Sequence, residues 1–532
     1  MIFIGKILIS KSIDRSFFFL LILLSSILIL IVPSPLHAQY YVSPFEKVYE
    51  DLRYLQVCGF LQELNLSQIP ITDIELLEVI DDECKSDKFK CCSKSQSDIF
   101  TRIKKSYLYT ESDRFSKLKS KILRSLSFKE SQDSYLHLGS IFDISVERDK
   151  DVKLFPLLRT FGMVSMPHGL SIVNIMTIDP HVTDNPDYIG KKWRGLSGYT
   201  EQAYLRWNTK YVRLLAGRSY IINGPGRKGA LLFSDACRPL DNFRLDFLLG
   251  KFSFQSVVTK LDPLDSSRRY LSSHRLGIYF SRFQFAITEL VLYGGISQEL
   301  EFAYMNPFLF FHAEQMNGPG FSGNTLGTID FRYLGKGWSF YGEFLIDDIQ
   351  LDKKEPGDLE PNELGCILGA DFADPFGIEG VYFGCEYAAI TNRTYKTPNK
   401  YEFYIHRNEP IGYPLGSDLD RWNCCLRKYL NSWQIALEFD YIRRGEGEMD
   451  IPWDQPWFDY TVEEGYSEPF PTGLVEYIRD IGFEIRWMPT YHKYFYFSAN
   501  YQSIRNYDHK DKNHTNFILA IGFYLDFKLK IF

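Results

Sequence analysis

The sequence predicts a mainly β protein: a large antiparallel transmembrane β-barrel preceded by a small helical bundle. Three observations lead there. From about residue 135 the apolar pattern takes a period of two and keeps it for nearly 400 residues. Past residue 38 no window approaches 18 consecutive apolar residues, so helical membrane spans are excluded. Phe, Tyr and Trp make up 16% of the chain, a proportion suited to aromatic girdles at two membrane interfaces.

The first 38 residues read as a signal peptide. Lys6, Lys11 and Arg15 precede the apolar run Phe17 to Val32, and Pro33 and Pro35 end it before Leu36-His37-Ala38. An uncleaved anchor is the alternative, although about 16 apolar residues fall short of a span. Residues 39–130 are helical in character. Ser43-Pro44-Phe45-Glu46 has the form of a capping box, followed by Val48, Leu52 and Leu55 at helical spacing and by Gly59. Thr72-Asp73-Ile74-Glu75 repeats the cap before Leu76, Leu77 and Ile80, and a third helix is expected from Ser97 to Ile122.

The barrel is assigned residues 131–532. In "WQIALEFDYIRRG", Trp433, Ile435, Leu437, Phe439 and Tyr441 share one face, and Gln434, Glu438 and Asp440 share the other. "EGVYFGCEYAAI" sets Val381, Phe383, Cys385 and Tyr387 against Glu386. The C-terminal stretch alternates to Ile531, one residue before the final Phe532. At about 20 residues per strand and connection, the segment holds on the order of 16 to 20 strands. The acidic, aromatic stretch from Arg444, "RGEGEMDIPWDQPWFDYTVEEGYSEPF", reads as an extracellular loop.

Net charge is −7, and about −9 without the leader, whose three cations outweigh Asp14; nucleic acid is an unsuitable partner for so acidic a surface. Nine cysteines lack a CxxC pair, so zinc is not expected, and Cys84, Cys91 and Cys92 are close enough for a local disulfide. The glycine-rich "GRSYIINGPGRKGALLFSDACRPLDNF" is not a Walker loop, because Lys228 is followed by Gly229 and no helix follows. It is expected to be a rim turn or a segment entering the lumen. Arg218, Asn223, Arg227, Lys228 and Arg238 would then lie inside, either binding an anion or paired with Asp235, Asp241 and Glu314. His312, Glu314 and Gln315 form a second polar cluster but provide neither a nucleophile with its base nor a ligand set. His509 and His514 sit in a charged turn. No catalytic residue, metal or cofactor is expected. Trp453, Trp457, Tyr460 and Tyr466 bring aromatic faces to the acidic loop, for loop packing or interfacial anchoring or, on the resemblance that these stretches carry, for stacking on sugar rings.

These stretches carry a resemblance. The first glycine cluster is similar to the GR…GPG…LL…RP motif of the Wzi family of capsule-assembly proteins. "MNPFLFFHAEQMNGPG…NTLGTIDFRY…WSFYGEFLIDDIQ" and "GYPLGSDLDRW" resemble later blocks of that family, and "EDLRYLQVCGFLQELNLSQIP" its helical opening. The resemblance implies a monomeric outer-membrane barrel of about 18 strands with a periplasmic helical bundle. It also implies a non-enzymatic, lectin-like role that holds capsular or other surface polysaccharide at the cell surface, with outer-membrane lipid around it and export machinery as a possible partner. A porin of similar size is the competing function, and a hydrolase a third. The cysteines around Cys84 to Cys92, the pair Cys424-Cys425 and the acidic loop after Arg444 depart from the family pattern.

Overall fold

The computed structural model describes residues 40–107, 135–148, 152–193 and 196–530, except 181, 183–187, 316, 318–322, 352, 448 and 450–452. The expected signal peptide 1–38, residues 108–134 and the chain end at 531–532 lie outside the described residues.

The strands alternate because they separate two environments, and they close into one antiparallel barrel of 18 strands. In chain order these are β1 Tyr135–Arg148, β2 Val152–Met166, β3 Leu170–Ile178, β4 Leu196–Asn208, β5 Val212–Ser219 and β6 Leu240–Leu249. There follow β7 Phe252–Lys260, β8 Arg268–Tyr279, β9 Phe283–Gly295, β10 Asn324–Leu334, β11 Trp338–Asp348 and β12 Glu363–Ala373. The last six are β13 Val381–Ile390, β14 Leu419–Leu430, β15 Trp433–Arg444, β16 Glu476–Thr490, β17 Lys493–Arg505 and β18 Asn513–Lys530. Each strand pairs with its neighbours in sequence, and β1 closes on β18 from His137 opposite Lys530 to Arg148 opposite Leu519. Closure leaves the barrel itself without an edge strand among the described residues.

Side-chain parity is inverted relative to a soluble barrel. On β15, Trp433, Leu437 and Phe439 are exposed on the outside while Gln434 and Asp440 are buried inside. On β13, Tyr382 and Glu386 point into the lumen with burial, and Phe383, Cys385 and Tyr387 point out. This apolar exterior suits hydrocarbon and the polar interior does not. Among the described residues no helix is long and apolar enough to cross a membrane.

The two ends differ. One carries tight turns such as 209–211, 250–251, 335–337, 431–432 and 491–492; the other carries the long connections 220–239, 296–323, 391–418 and 445–475. The helices α1 Val48–Val57, α2 Asp73–Lys85 and α3 Lys94–Tyr107 dock against the tight-turn end. Thr72 Oγ1 caps α2 by accepting the Glu75 N–H at 3.1 Å, as its sequence predicts. The Ser43–Glu46 box does not start α1. Residues 44–47 form turns, no side chain caps Val48, and the Phe45 ring packs edge-on against Tyr220 at 5.2 Å instead. The third helix is described from Lys94 to Tyr107, inside the range expected from Ser97 onward except for its earlier start.

Leu52, Leu55, Leu76, Ile80, Phe100 and Ile103 are fully buried, and their cluster continues into barrel residues Tyr382, Tyr429, Met488 and Tyr491. Burying such side chains contributes roughly 1.5–3 kcal/mol each. A buried ion pair fixes the orientation: Arg102 Nη1 meets Asp51 Oδ2 at 2.9 Å, and Arg102 Nη2 donates to the Asn431 carbonyl at 2.7 Å in the turn between β14 and β15. The Tyr491 hydroxyl donates to the same Asp51 carboxylate. All nine cysteines are free. Cys424 faces outward and Cys425 inward, on successive positions of β14.

Arg102→Leu leaves Asp51 buried without its cation, which costs about 3–5 kcal/mol. The helical domain is expected to loosen, read as faster protease cleavage within residues 40–107 while the barrel stays intact. The double variant Asp51→Leu/Arg102→Leu should recover much of the resistance.

Candidate functional site

The connection 220–239 between β5 and β6 turns into the lumen and stays there because wall carboxylates bind its backbone. Arg227 N–H donates to Glu386 Oε2 at 2.5 Å and Lys228 N–H to Glu386 Oε1 at 3.1 Å. Leu231 N–H donates to Glu343 Oε1 at 3.0 Å, and Tyr341 holds Glu386 Oε2 at 2.9 Å. So the loop does cradle an anion, and the anion belongs to the barrel wall. Glycine is required at two positions that combine a positive φ with a close approach. Gly224 has φ +146°, and a Cβ there would lie 2.4 Å from Glu343 Oε2; at Gly229, φ +151°, it would lie 2.4 Å from Pro414 Cδ.

The side chains complete a buried network. Arg227 Nη2 donates to Asn423 Oδ1 at 2.6 Å and Nη1 lies 3.4 Å from Asp371 Oδ1, while Lys228 pairs with Glu438. Asn423 Nδ2 in turn donates to Glu438 at 2.8 Å and to Asp440 at 2.9 Å. From the other end, Arg53 of α1 donates to the Pro225 carbonyl at 3.2 Å and lies 3.7 Å from Asp371 Oδ2. Gln68–Ile69 of the helical domain pairs with Ile222–Asn223 of the loop as a two-residue β-ladder. Two bodies entering from opposite ends therefore meet in the lumen. Between them remains a cavity of about 450 Å³ lined by both charge signs, including Glu50, Arg53, Lys228, Asp235, Arg427 and Glu438.

On the long-loop side the 391–418 connection folds over the plug. Tyr395 and Tyr404 hydroxyls donate to the Leu231 and Leu232 carbonyls at 2.6 and 2.8 Å. Arg269, fully buried on β8, donates to the carbonyls of Tyr401 at 2.8 Å, Phe403, and Ile405 at 3.0 Å. Beside it, Asp262 accepts from the His406 ring at 2.9 Å and from Arg407 N–H at 3.0 Å. Burial pushes the Asp262 carboxyl up, but His406, the Arg407 N–H and nearby Arg269 outweigh it and hold it below the ordinary carboxylate range.

The acidic 445–475 loop is organised by a residue from another loop. The Arg393 guanidinium lies 5.0 Å from the Trp453 ring and 4.6 Å from the Trp457 ring. Its nitrogens reach Asp454 Oδ1 at 3.0 Å and Glu468 Oε1 at 2.5 Å. Trp457 is consequently buried, and its faces are used inside the protein; Tyr460 is exposed and packs against Tyr466 at 5.2 Å. Next to this clamp is a groove of about 270 Å³, open at the loop surface, where Tyr466, Phe470, Asn362, Asn392, Thr391 and Glu468 converge. Burial and Glu468 push the Tyr466 hydroxyl up to about 12, so it remains a donor to Glu468 at neutral pH, at 3.2 Å.

The residues singled out in the sequence thus divide. Asn223, Arg227, Lys228 and Asp235 belong to the lumen; Asn223 donates to Gln255 at 3.0 Å. Arg238 is held between the rings of Tyr188 and Tyr199, 4.5 and 4.4 Å away. Arg218 and Asp241 do pair, at 2.6 Å, but as cross-strand neighbours on the outer face near the long-loop rim. His312 and Glu314 lie outside the barrel wall, the Glu314 carboxylate accepting from Asn317, so Glu314 does not neutralise the lumen arginines; the side chain of Gln315 lies outside the described residues. That role falls to Asp371, Glu386 and Glu438. Period-two alternation already turns Glu386 and Glu438 inward, but nothing local marks Arg393, Asn362 or Phe470. Among the described residues no cluster could hold a metal ion.

The comparisons with known proteins agree with this architecture. The family described as capsule assembly protein Wzi matches residues 174–518. In structure the chain resembles Wzi of Escherichia coli, described as an outer-membrane protein involved in group 1 capsule assembly and a carbohydrate-binding β-barrel. The TM-score is 0.62 at 13% identity, covering 92% of this chain and 99% of that one. OprD of Pseudomonas aeruginosa gives 0.42 at 10% identity over 75% of this chain and 96% of its own. OpdL of the same species gives 0.42 at 8% over 76% and 100%. No curated protein matches the chain in sequence.

Two outcomes test the loop analysis. Arg393→Ala leaves Glu468 and both indoles without their centre and should cost about 3 kcal/mol; tryptophan emission is expected to shift red and the 445–475 loop to become protease-sensitive. Because the Asp262 pKa is depressed in the folded state, its contribution is in place above the unfolded value and disappears as pH falls through the folded one. Amide exchange at residues 404–407, corrected for intrinsic rates, should accelerate below the ordinary carboxylate range, and Asp262→Asn should remove that step.

Proposed function

Since the chain belongs to the capsule assembly protein Wzi family, we propose that it is a non-enzymatic outer-membrane barrel that binds surface polysaccharide at its long-loop end and retains it on the cell. The strongest support is the filled lumen. A wall that spends Glu343, Asp371 and Glu386 on holding its own plug is built for closure rather than conduction. An external polymer then meets the long loops, where the groove presents what sugar rings require. The faces of Tyr466 and Phe470 suit the apolar side of a pyranose, and the amides of Asn362 and Asn392 suit its hydroxyls.

On this reading residues 1–38 direct export and are removed, and the tight-turn end with its helices faces the periplasm, since short turns face that side in such barrels. The docked helical domain is positioned to meet the export machinery that delivers the polymer, and the barrel acts as a monomer. The channel alternative requires the plug to leave the lumen, against the Arg53, Arg227 and Lys228 contacts that hold it from both ends.

The test is the partition of surface polysaccharide between cells and medium in a strain lacking the protein. Polymer should still be made but be shed; an unchanged partition would defeat the retention reading. Restoring the gene with Phe470→Ala or Tyr466→Ala should recover folding but only part of the retention. In planar bilayers the purified wild-type barrel is expected to conduct far less than an open barrel of its strand number, and steady large currents would favour the channel.

A further inference from the structure

The described part of the connection after β9, residues 296–315, leaves the long-loop end and descends along the outside of the wall. Parity shows this. His274 on β8 and Glu289 on β9 point outward, opposite one another in register, because their neighbours Arg275 and Thr288 point inward to Asp330. Yet Tyr270, His274, Val291 and Tyr293 are buried, whereas the next outward residues toward the tight-turn end, Leu276 and Ile287, are 51% and 47% exposed. The cover is the loop itself. The Phe311 ring stacks on His274 at 4.4 Å, Tyr304 packs on Tyr293 at 4.7 Å, and Phe308 stacks on Phe254 of β7 at 6.2 Å. Backbone N–H groups of Phe311 and His312 donate to the two oxygens of Glu289 at 3.1 and 2.6 Å, and His312 Nδ1 meets Thr325 Oγ1 at 3.2 Å.

The depth of this contact matters. Phe254 pairs with Leu276, which pairs with Ile287, so the loop reaches the level of exposed aliphatic wall. The hydrogen-bonded row through Glu289 continues to Gly327, Ile346 and Leu364, where the outward side chains are apolar. A carboxylate and an imidazole at that level are costly in hydrocarbon, and the loop satisfies the first and covers the second. From Phe302 onward its outer side is apolar: Phe302, Phe308 and Phe310 are 86%, 82% and 64% exposed, while the exposed Glu299 and Glu301 precede this stretch, Glu299 paired with Arg268 at the long-loop end of β8. A patch of that size on a water-facing loop would be an association hazard. Here it is continuous with the lipid-facing wall.

We propose that residues 302–310 form a wedge embedded in the acyl chains of the leaflet at the long-loop end, which with Phe311 roofs Glu289 and His274 and replaces the wall of β8 and β9 as the surface that lipid touches, while Glu299 and Glu301 stay at the aqueous rim. The occupant of the exposed aromatic face is lipid hydrocarbon.

Phe302→Trp and Phe308→Trp, each a conservative aromatic change at an exposed position, test this in phosphatidylcholine vesicles. The added emission is taken as the difference from wild type, which already has eight tryptophans. Acyl-brominated lipid should quench most of the added emission, and aqueous iodide should leave it unchanged. Quenching by iodide without quenching by bromine would place the loop in water and overturn the proposal. Protection from both would mean that protein covers the face, also overturning it, and chemical cross-linking would then show whether a second copy does so. Heat-modifiable migration of each variant on gels establishes that the barrel has folded, and agreement between the two positions guards against a local perturbation at one.

Discussion

The interior of this barrel is governed by one constraint: carboxylates on β11 to β15 are taken out of water and must be neutralised where they stand. Glu343, Asp371, Glu386, Glu438 and Asp440 lie on inward positions of β11, β12, β13 and, for the last two, β15. Unpaired, each would carry a desolvation cost of several kcal/mol. The wall strands cannot supply enough donors from their own ladder, whose N–H groups are already used between strands. Wall side chains supply part of the need, Arg421 and Asn423 to Asp440 and Tyr341 to Glu386, and the rest comes from elsewhere: backbone of the 220–239 loop, Arg227 and Lys228 of the same loop, and Arg53 from the helices. The plug, the docking of the helical domain and the closure of the lumen all follow from that requirement.

The long-loop end repeats the logic with fewer charges and more rings. Arg269 collects three carbonyls of the 391–418 loop, and Arg393 collects two carboxylates and two indoles of the 445–475 loop. Planar guanidinium groups suit both tasks because one side chain can present donors in its plane and a cationic face above it. Each loop thus gathers around one guanidinium donated from a different segment, and the groove beside Tyr466 keeps its shape without regular secondary structure.

What was legible in the sequence follows the range of the forces involved. Alternation along β15 and β13 predicts the lipid and lumen faces residue by residue, since the pleat alone decides them. Thr72 is a local cap and reads correctly; the Ser43–Glu46 box is equally local, but Phe45 is drawn away by Tyr220, far along the chain. The pairing of Arg218 with Asp241 is visible as chemistry, while their face depends on strand register. His312 and Glu314 resemble a lumen cluster in sequence because nothing nearby states whether a connection turns inward or outward. That choice is made by His274 and Glu289 on the wall. Trp457 reads as a free aromatic face until Arg393, on another loop, claims it.

The glycine-rich loop has a further consequence. Its two N–H donors face an acceptor that can never diffuse away, since Glu386 is held by the same chain at an effective concentration that dissolved phosphates or uronates would have to exceed. The loop has the donors of an anion receptor yet is permanently self-ligated. A dissolved anion is therefore kept from these two N–H groups for as long as Glu386 stays in place.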